Sequence, residues 1–165
     1  MILTADAWTN ELLASFDRRL PLTVTKEQVT YFACPDPAAF APDRFPVWIW
    51  MDDPSFYGFP VYGEAGPKVA QDAGGRVVTP ETRTFEADPA IHERVRGFVE
   101  SRLPAAAGPE IYTKTCLYTL TPDRDFVIDR LPDAPGVVVG LGAAHGFKYA
   151  SVSYTHLTLP TTPYV

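Results

Sequence analysis

The chain reads as an α+β protein: a mixed, mostly antiparallel β-sheet with few helices. Two observations predict this. Most of the sequence falls into short segments rich in Val, Thr, Tyr and Phe, punctuated by 17 prolines and 11 glycines, which is the pattern of short strands joined by turns. Helical periodicity is clear only once, between Asp88 and Pro104, with a shorter candidate near the start.

Taken in order, Ile2 to Ala5 reads as the end of a buried strand, and Trp8, Leu12, Leu13 and Phe16 then fall on one helical face. From Pro21 to Tyr62 the text is strand-like. "TVTKEQVTYFACP" and "PVWIWMDD" are β-branched and aromatic, and "SFYGFPVYG" adds Phe56, Tyr57, Phe59 and Tyr62 between Gly and Pro breaks. "GPKVAQDAGG" is a short strand closing in a turn at Gly74 and Gly75. The helix "DPAIHERVRGFVESRLP" has Asp88 to cap it and Pro89 at its first position. Ile91, Val95, Phe98 and Val99 form its apolar stripe, and Pro104 stops it. Three strands follow, "EIYTKTCLYTLTP", "FVID" and "GVVVGL", with turns expected at Pro122-Asp123 and from Asp133 to Gly136.

Composition excludes several function classes. The 165 residues are enough for one compact domain, and 46% of them are hydrophobic, enough for a core. The net charge is −6, with 14 Lys and Arg against 20 Asp and Glu, and no basic cluster marks a nucleic-acid or membrane surface. No apolar run approaches the roughly 20 residues that span a bilayer, and the first residues lack a signal-peptide pattern, so a cytoplasmic location is expected. Cys34 and Cys116 make no disulfide framework. His92, His145 and His156 are scattered away from them, so no metal site is expected.

"VVVGLGAAHGFKYA" invites comparison with a phosphate-binding loop. Gly140 and Gly142 fit G-x-G-x-x-G, but the third glycine position holds His145, with Gly146 one residue late, and no second strand follows. A turn of small residues lying against a flat ligand remains the other reading. By residue type alone, Cys116 is a small buried hydrophobe or a reactive thiol. By the same token Lys148 reads as a solvated surface lysine and Lys68 as an edge-strand gatekeeper.

From Thr113 onward a more specific pattern appears. "CLYTLTPDRDFVID", then "VVVGLG", then "HGFKYA" resembles the C-terminal half of the monomeric sarcosine oxidase and N-methyltryptophan oxidase family, FAD-dependent enzymes of the D-amino-acid-oxidase-like superfamily. "LTADAW" resembles the last strand of the FAD-binding part, and "FYGFPVYGEAGPKVAQDAGG" the substrate-domain segment over the flavin. The resemblance covers about Ile2 to Ser151. It implies that residues 1–20 end an FAD-binding, Rossmann-like domain, that 21–112 form the substrate domain, and that 113–151 return to the FAD-binding domain.

The resemblance assigns roles. Cys116 matches the cysteine that carries FAD by a thioether to the flavin 8α carbon, with Tyr118 and Thr119 beside it in pattern. Lys148 matches the lysine that holds the substrate carboxylate, which suits an amino-acid substrate. Lys68 matches the lysine beside the flavin that assists reaction with oxygen, where a preplaced cation stabilises developing negative charge. Tyr57 matches a substrate-facing tyrosine, and His145, Gly146 and Phe147 match the turn along the flavin ring. The chain departs from the family in three places. Asp6 stands where glycine is often found, Ala144 where glycine is usual, and Gln71-Asp72 where a histidine often follows Lys68.

The implied activity is oxidation of a secondary, N-methyl amino acid by oxygen, giving an imine and hydrogen peroxide in a monomeric enzyme. Other flavin-dependent oxidases or dehydrogenases, of glycine, D-amino acids or pipecolate, are the alternative in the same class. A non-catalytic β-rich module holding a small acid is the alternative outside it. The family's G-x-G-x-x-G segment belongs to an N-terminal half, so the chain is expected to be a fragment, inactive alone and a poor binder of FAD. "VSYTHLTLPTTPYV" resembles a translated sequencing adaptor, so residues 152–165 are expected to be a non-native tail; a divergent Pro/Thr-rich tail is the other reading.

Overall fold

The structure is a computed structural model that describes residues 1–158, with side chains to residue 155. In chain order its elements are β1 (Ile2–Leu3), α1 (Thr9–Leu13), β2 (Thr23–Phe32), β3 (Trp48–Trp50), β4 (Phe56–Phe59), β5 (Lys68–Gln71) and β6 (Arg76–Val77). Then come α2 (Pro89–Arg102), β7 (Glu110–Leu120), β8 (Val127–Leu131), β9 (Ala134–Leu141) and α3 (Ala150–Thr158). The chain divides into two compact units. One joins Met1–Thr23 to the chain from Thr119 onward; the other is Val24–Tyr118. A boundary drawn from sequence at 112/113 and the contact boundary at 118/119 enclose residues 113–118, the middle of β7.

The first unit carries a three-stranded sheet in the order β1-β9-β8. β1 lies parallel to β9, with Ile2 opposite Val138 and Leu3 opposite Val139, and β8 and β9 form an antiparallel hairpin. Its core gathers Leu3, Leu13, Val137 and Val139, with Phe16 and Leu20 packed against them. Asn10 ties the following segment down by accepting from Leu20 N–H and donating to Leu20 C=O.

Two sequence expectations are corrected here. The stripe Trp8, Leu12, Leu13, Phe16 does not form a buried face: Leu13 is fully buried, but Trp8 and Leu12 are each 45% exposed. α1 is short and flanked by 3-10 turns at Asp6–Trp8 and Ala14–Phe16, so a 3.6-residue period does not persist across the segment. The turn expected from Asp133 to Gly136 is also shorter, because Ala134 already pairs with Leu131. Pro135 enters the strand without an N–H to satisfy, and its carbonyl takes the Arg130 guanidinium at 2.9 Å.

After Leu141 the chain turns sharply. A side chain at Gly142 would place its Cβ 2.1 Å from Gly146 Cα, so only glycine fits. Ala143 and Ala144 adopt φ of 42° and 72°, and His145 N–H closes the turn on Gly142 C=O at 2.7 Å. A 3-10 turn, Gly146–Tyr149, leads directly into α3. The helix therefore runs past the break expected near Ser151, as far as Thr158. The rest of the expected tail, 159–165, lies outside the described residues.

The second unit is a six-stranded sheet backed by α2. β3, β4, β5 and β2 follow one another in antiparallel pairs, and β6 and β7 also pair with β2. Phe32 N–H donates toward Pro67 and Val24 C=O accepts from Val78, whereas Ala33 N–H donates to Pro109. Alternate residues of a strand bond opposite edges, so β5 and β6 share one edge of β2 and β7 takes the other.

α2 starts as the sequence predicts. Asp88 accepts from the N–H groups of Ala90 and Ile91, with Pro89 in the first turn. Ile91, Val95 and Val99 then pack on Phe32, Phe56 and Val69. Phe98 stacks on Phe56 at 4.3 Å and on Trp48 at 5.6 Å between ring centroids.

Between β5 and β6 the register slips. The four-residue step from Lys26 to Thr30 faces a seven-residue step from Val69 to Arg76. The surplus is taken up where Ala73 and Gly74 adopt φ of 61° and 91°. An odd surplus exchanges the faces on which side chains emerge, so this bulge resets the strand's alternation.

Candidate functional site

The face of the six-stranded sheet turned away from α2 can be read from register. Thr30 pairs with Val69 in the core beneath α2, so Tyr31, opposite Lys68, lies on the other face. Phe59 is opposite Lys68 and Tyr57 opposite Ala70, which adds Tyr57 and Phe59 to that face. On β7, Thr113 hydrogen-bonds Thr30 at 2.9 Å, while Tyr112 packs on Tyr31 at 4.7 Å. Alternation along β7 then carries Cys116 and Tyr118 onto the same face as Tyr112.

These residues interact. The Lys68 ammonium sits 3.8 Å from the Phe59 ring centroid and 5.8 Å from that of Tyr57, within cation–π range. The hydroxyls of Tyr57 and Tyr118 share a 3.3 Å hydrogen bond. Burial holds the Lys68 amine below its usual pKa, and the neighbouring Cys116 pulls it part of the way back. Burial pushes the Tyr57 phenol up. The bond from Tyr118 offsets part of that rise, and Cys116, Asp72 and Glu27 add to it. Tyr118 is raised further by burial, by Tyr57 and by Asp72. The face thus combines a half-buried thiol in no disulfide, a desolvated ammonium and two phenols held in their protonated form.

Thr119 begins the other unit. It is fully buried, and its hydroxyl has no hydrogen-bond partner. In that unit the post-β9 turn presents His145, Gly146, Phe147 and Lys148 together. His145 Nε2 lies 2.8 Å from Arg124 Nη2, Phe147 is 97% exposed, and Lys148 is exposed with its ammonium 5.5 Å from the Tyr149 ring. Tyr57, Lys68, Cys116 and Tyr118 therefore converge on one sheet face, and His145 to Lys148 share one turn.

Sequence reading missed Glu27, Tyr31 and Tyr112. Glu27 is 3% exposed and accepts from Thr25 Oγ1 at 2.6 Å and from Gly75 N–H at 3.1 Å. The signal was present in "TVTKEQVTYF", where Thr25, Glu27, Val29 and Tyr31 alternate, but period alone does not say which face a strand buries. Among the described residues no cluster of His, Cys, Asp and Glu could hold a metal ion, and no helix is long and apolar enough to cross a membrane.

The chain is 32% identical over 156 residues to a monomeric sarcosine oxidase of Bacillus sp. (strain NS-129), a match covering 92% of this chain and 40% of that one. It is 30% identical to the peroxisomal sarcosine oxidase of Homo sapiens and 29% identical to N-methyl-L-tryptophan oxidase of Yersinia pestis (strain Pestoides F), each over 92% of its length. The chain spans about two fifths of the length of these relatives. Among solved structures, it superposes on NikD, an unusual amino acid oxidase essential for nikkomycin biosynthesis. The TM-score is 0.73 at 24% identity, covering 99% of this chain and 46% of that one. It also superposes on the deglycating enzyme fructosamine oxidase (Amadoriase II) of Aspergillus fumigatus, with TM-score 0.68 at 21% identity, over 97% and 42% of the two chains. These likenesses agree in fold with the mixed, mostly antiparallel α+β architecture. The family described as FAD dependent oxidoreductase matches residues 1–153, and the chain belongs to it.

Proposed function

We propose that this chain supplies the substrate-facing sheet and the flavin-side turn of an oxidase that attacks the C–N bond of a secondary, N-methyl amino acid. The observation that carries the proposal is the convergence of Tyr57, Lys68, Cys116 and Tyr118 on one face of a sheet. The sequence likeness to sarcosine and N-methyl-L-tryptophan oxidases supports the substrate class.

The residues present fit the ring end of a flavin. Cys116 is a half-buried thiol in no disulfide, with the Lys68 ammonium in its electrostatic neighbourhood, and its sulfur is the group that a thioether to carbon needs. The buried, unpartnered hydroxyl of Thr119 is a donor in want of an acceptor. Cys116 would anchor the cofactor through a thioether to the 8α carbon. Tyr118, Thr119 and the His145–Gly146–Phe147 turn would flank it. When bound, FAD supplies the two-electron redox step.

The chain's own residues do the rest. Lys148 pairs with the substrate carboxylate, and Tyr57, its proton retained by burial, donates a hydrogen bond from the sheet face. His145 stands on the turn with its Nε2 held by Arg124, which orients the ring on the flavin side. The substrate amine loses two electrons and two protons to become an imine, and oxygen takes up both pairs as hydrogen peroxide. Lys68 places positive charge where negative charge develops on oxygen. Its lowered pKa means that this charge is lost at a lower pH than for an ordinary lysine, so oxygen reactivity falls as pH rises through that value. The names of the bacterial relatives favour a monomer, and a cytoplasmic location is part of the same proposal.

The test uses the family-length protein. After denaturation, yellow colour stays with the polypeptide and is released by Cys116→Ser. Peroxide appears with N-methyl amino acids. Colour freed from the unsubstituted protein rejects Cys116 as anchor, and a response to primary D-amino acids alone rejects the substrate class.

A further inference from the structure

The bulge between β5 and β6 presents a carboxylate to the same face. Lys68, Ala70 and Asp72 alternate along the chain, and Gln71, between the last two, points the other way to accept from Arg94 Nε of α2 at 2.8 Å. Asp72 N–H donates to Ser55 C=O at 2.9 Å, which sets Asp72 in the row beside Tyr57. Its charge reaches both phenols of the Tyr57–Tyr118 pair.

The position is held from three sides. Glu27 accepts the Gly75 N–H at 3.1 Å, and Gln71 Nε2 donates to Ala73 C=O at 2.8 Å. At Gly75 a side chain would bring Cβ to 2.0 Å from Lys26 C=O, so the backbone lies directly on β2. A carboxylate on so constrained a segment, on a sheet face that already holds a cation at Lys68, discriminates by charge.

We propose that Asp72 is a specificity-determining residue: its carboxylate, held beside Tyr57 by the Glu27-clamped bulge, selects amino acids whose side chain carries a second, cationic nitrogen. The inference rests on reading this face as the substrate face. A carboxylate repels the substrate's own carboxylate, so the acid at Asp72 serves a different group. It attracts an ammonium or guanidinium and repels a second carboxylate. Glu27 acts through the bulge and is a positioning residue.

Titration of the flavin-loaded, family-length protein with sarcosine, lysine and norleucine, followed by flavin absorbance, tests this. Lysine and norleucine have the same chain length and differ in the terminal amine. Lysine is expected to bind about tenfold more tightly, the size of one charge-assisted hydrogen bond. Asp72→Asn brings the two to within about twofold while sarcosine still gives a flavin response, and Asp72→Glu restores the preference. Equal binding of lysine and norleucine, or a preference that survives Asp72→Asn, overturns the assignment while a sarcosine response leaves the substrate face intact. Silence from sarcosine as well overturns the reading of the face itself, and the assignment with it.

Discussion

The face that carries Tyr57, Lys68, Cys116 and Tyr118 is made of paired strands, whereas His145 to Lys148 ride on a strained turn between β9 and α3. On the sheet, each side chain is aimed by register and by what lies beneath it: Phe32, Phe56 and Val69 packed on α2. On the turn, aim comes from backbone φ values that Ala143 and Ala144 adopt against their preference. Strand-borne groups are thus expensive to displace. On the turn, Phe147 and Lys148 stand in solvent, Phe147 almost wholly exposed, and these two add little to the stability of their own unit.

That contrast can be broken most forcefully in the core. Phe32→Ala removes a fully buried ring beneath the sheet face and is expected to cost about 3–5 kcal/mol in urea unfolding. A loss under about 1 kcal/mol would mean that the face is not built on that core. A smaller effect is expected at the clamp. Glu27→Ala leaves the Gly75 N–H and the Thr25 hydroxyl without their acceptor, for a loss of roughly 1–3 kcal/mol. Faster amide exchange should then be confined to the bulge, and uniform exchange across the unit would argue against a local clamp.

On the turn the sign reverses. Ala144→Gly relieves a residue at φ 72° and should stabilise the chain by about 1 kcal/mol, seen as a raised Tm. A lowered Tm would show that the turn is not strained at that residue. The smallest effect belongs to Phe147→Ala, within about 0.5 kcal/mol of the original stability. A large loss there would place Phe147 among the packed residues and erase the distinction between the two regions.

Element order was legible wherever local chemistry sets it. Asp88-Pro89 starts α2, and the spacing of Ile91, Val95 and Val99 gives its buried stripe. The positions of Cys116 and Lys68 came from resemblance to a family, because a cysteine or a lysine in a strand has no local signature of its role. Three things stayed hidden. The burial of Glu27 depends on which face of β2 is covered, which its neighbours in sequence do not encode. The register slip at Ala73 depends on pairing with a strand more than forty residues earlier. The exposure of Trp8 depends on 3-10 turns either side of a five-residue helix, where a 3.6-residue reading assumes one continuous period.

The hydrogen bond between Tyr57 and Tyr118 has a direction, and either oxygen can be its donor. Two phenols joined this way hold two protons, of which the bond engages one. If Tyr57 donates, the second proton stays with Tyr118; if Tyr118 donates, it stays with Tyr57. Reversal takes two hydroxyl rotations and moves no heavy atom. An acceptor that takes the proton of one phenol therefore fixes the direction of the bond to the other.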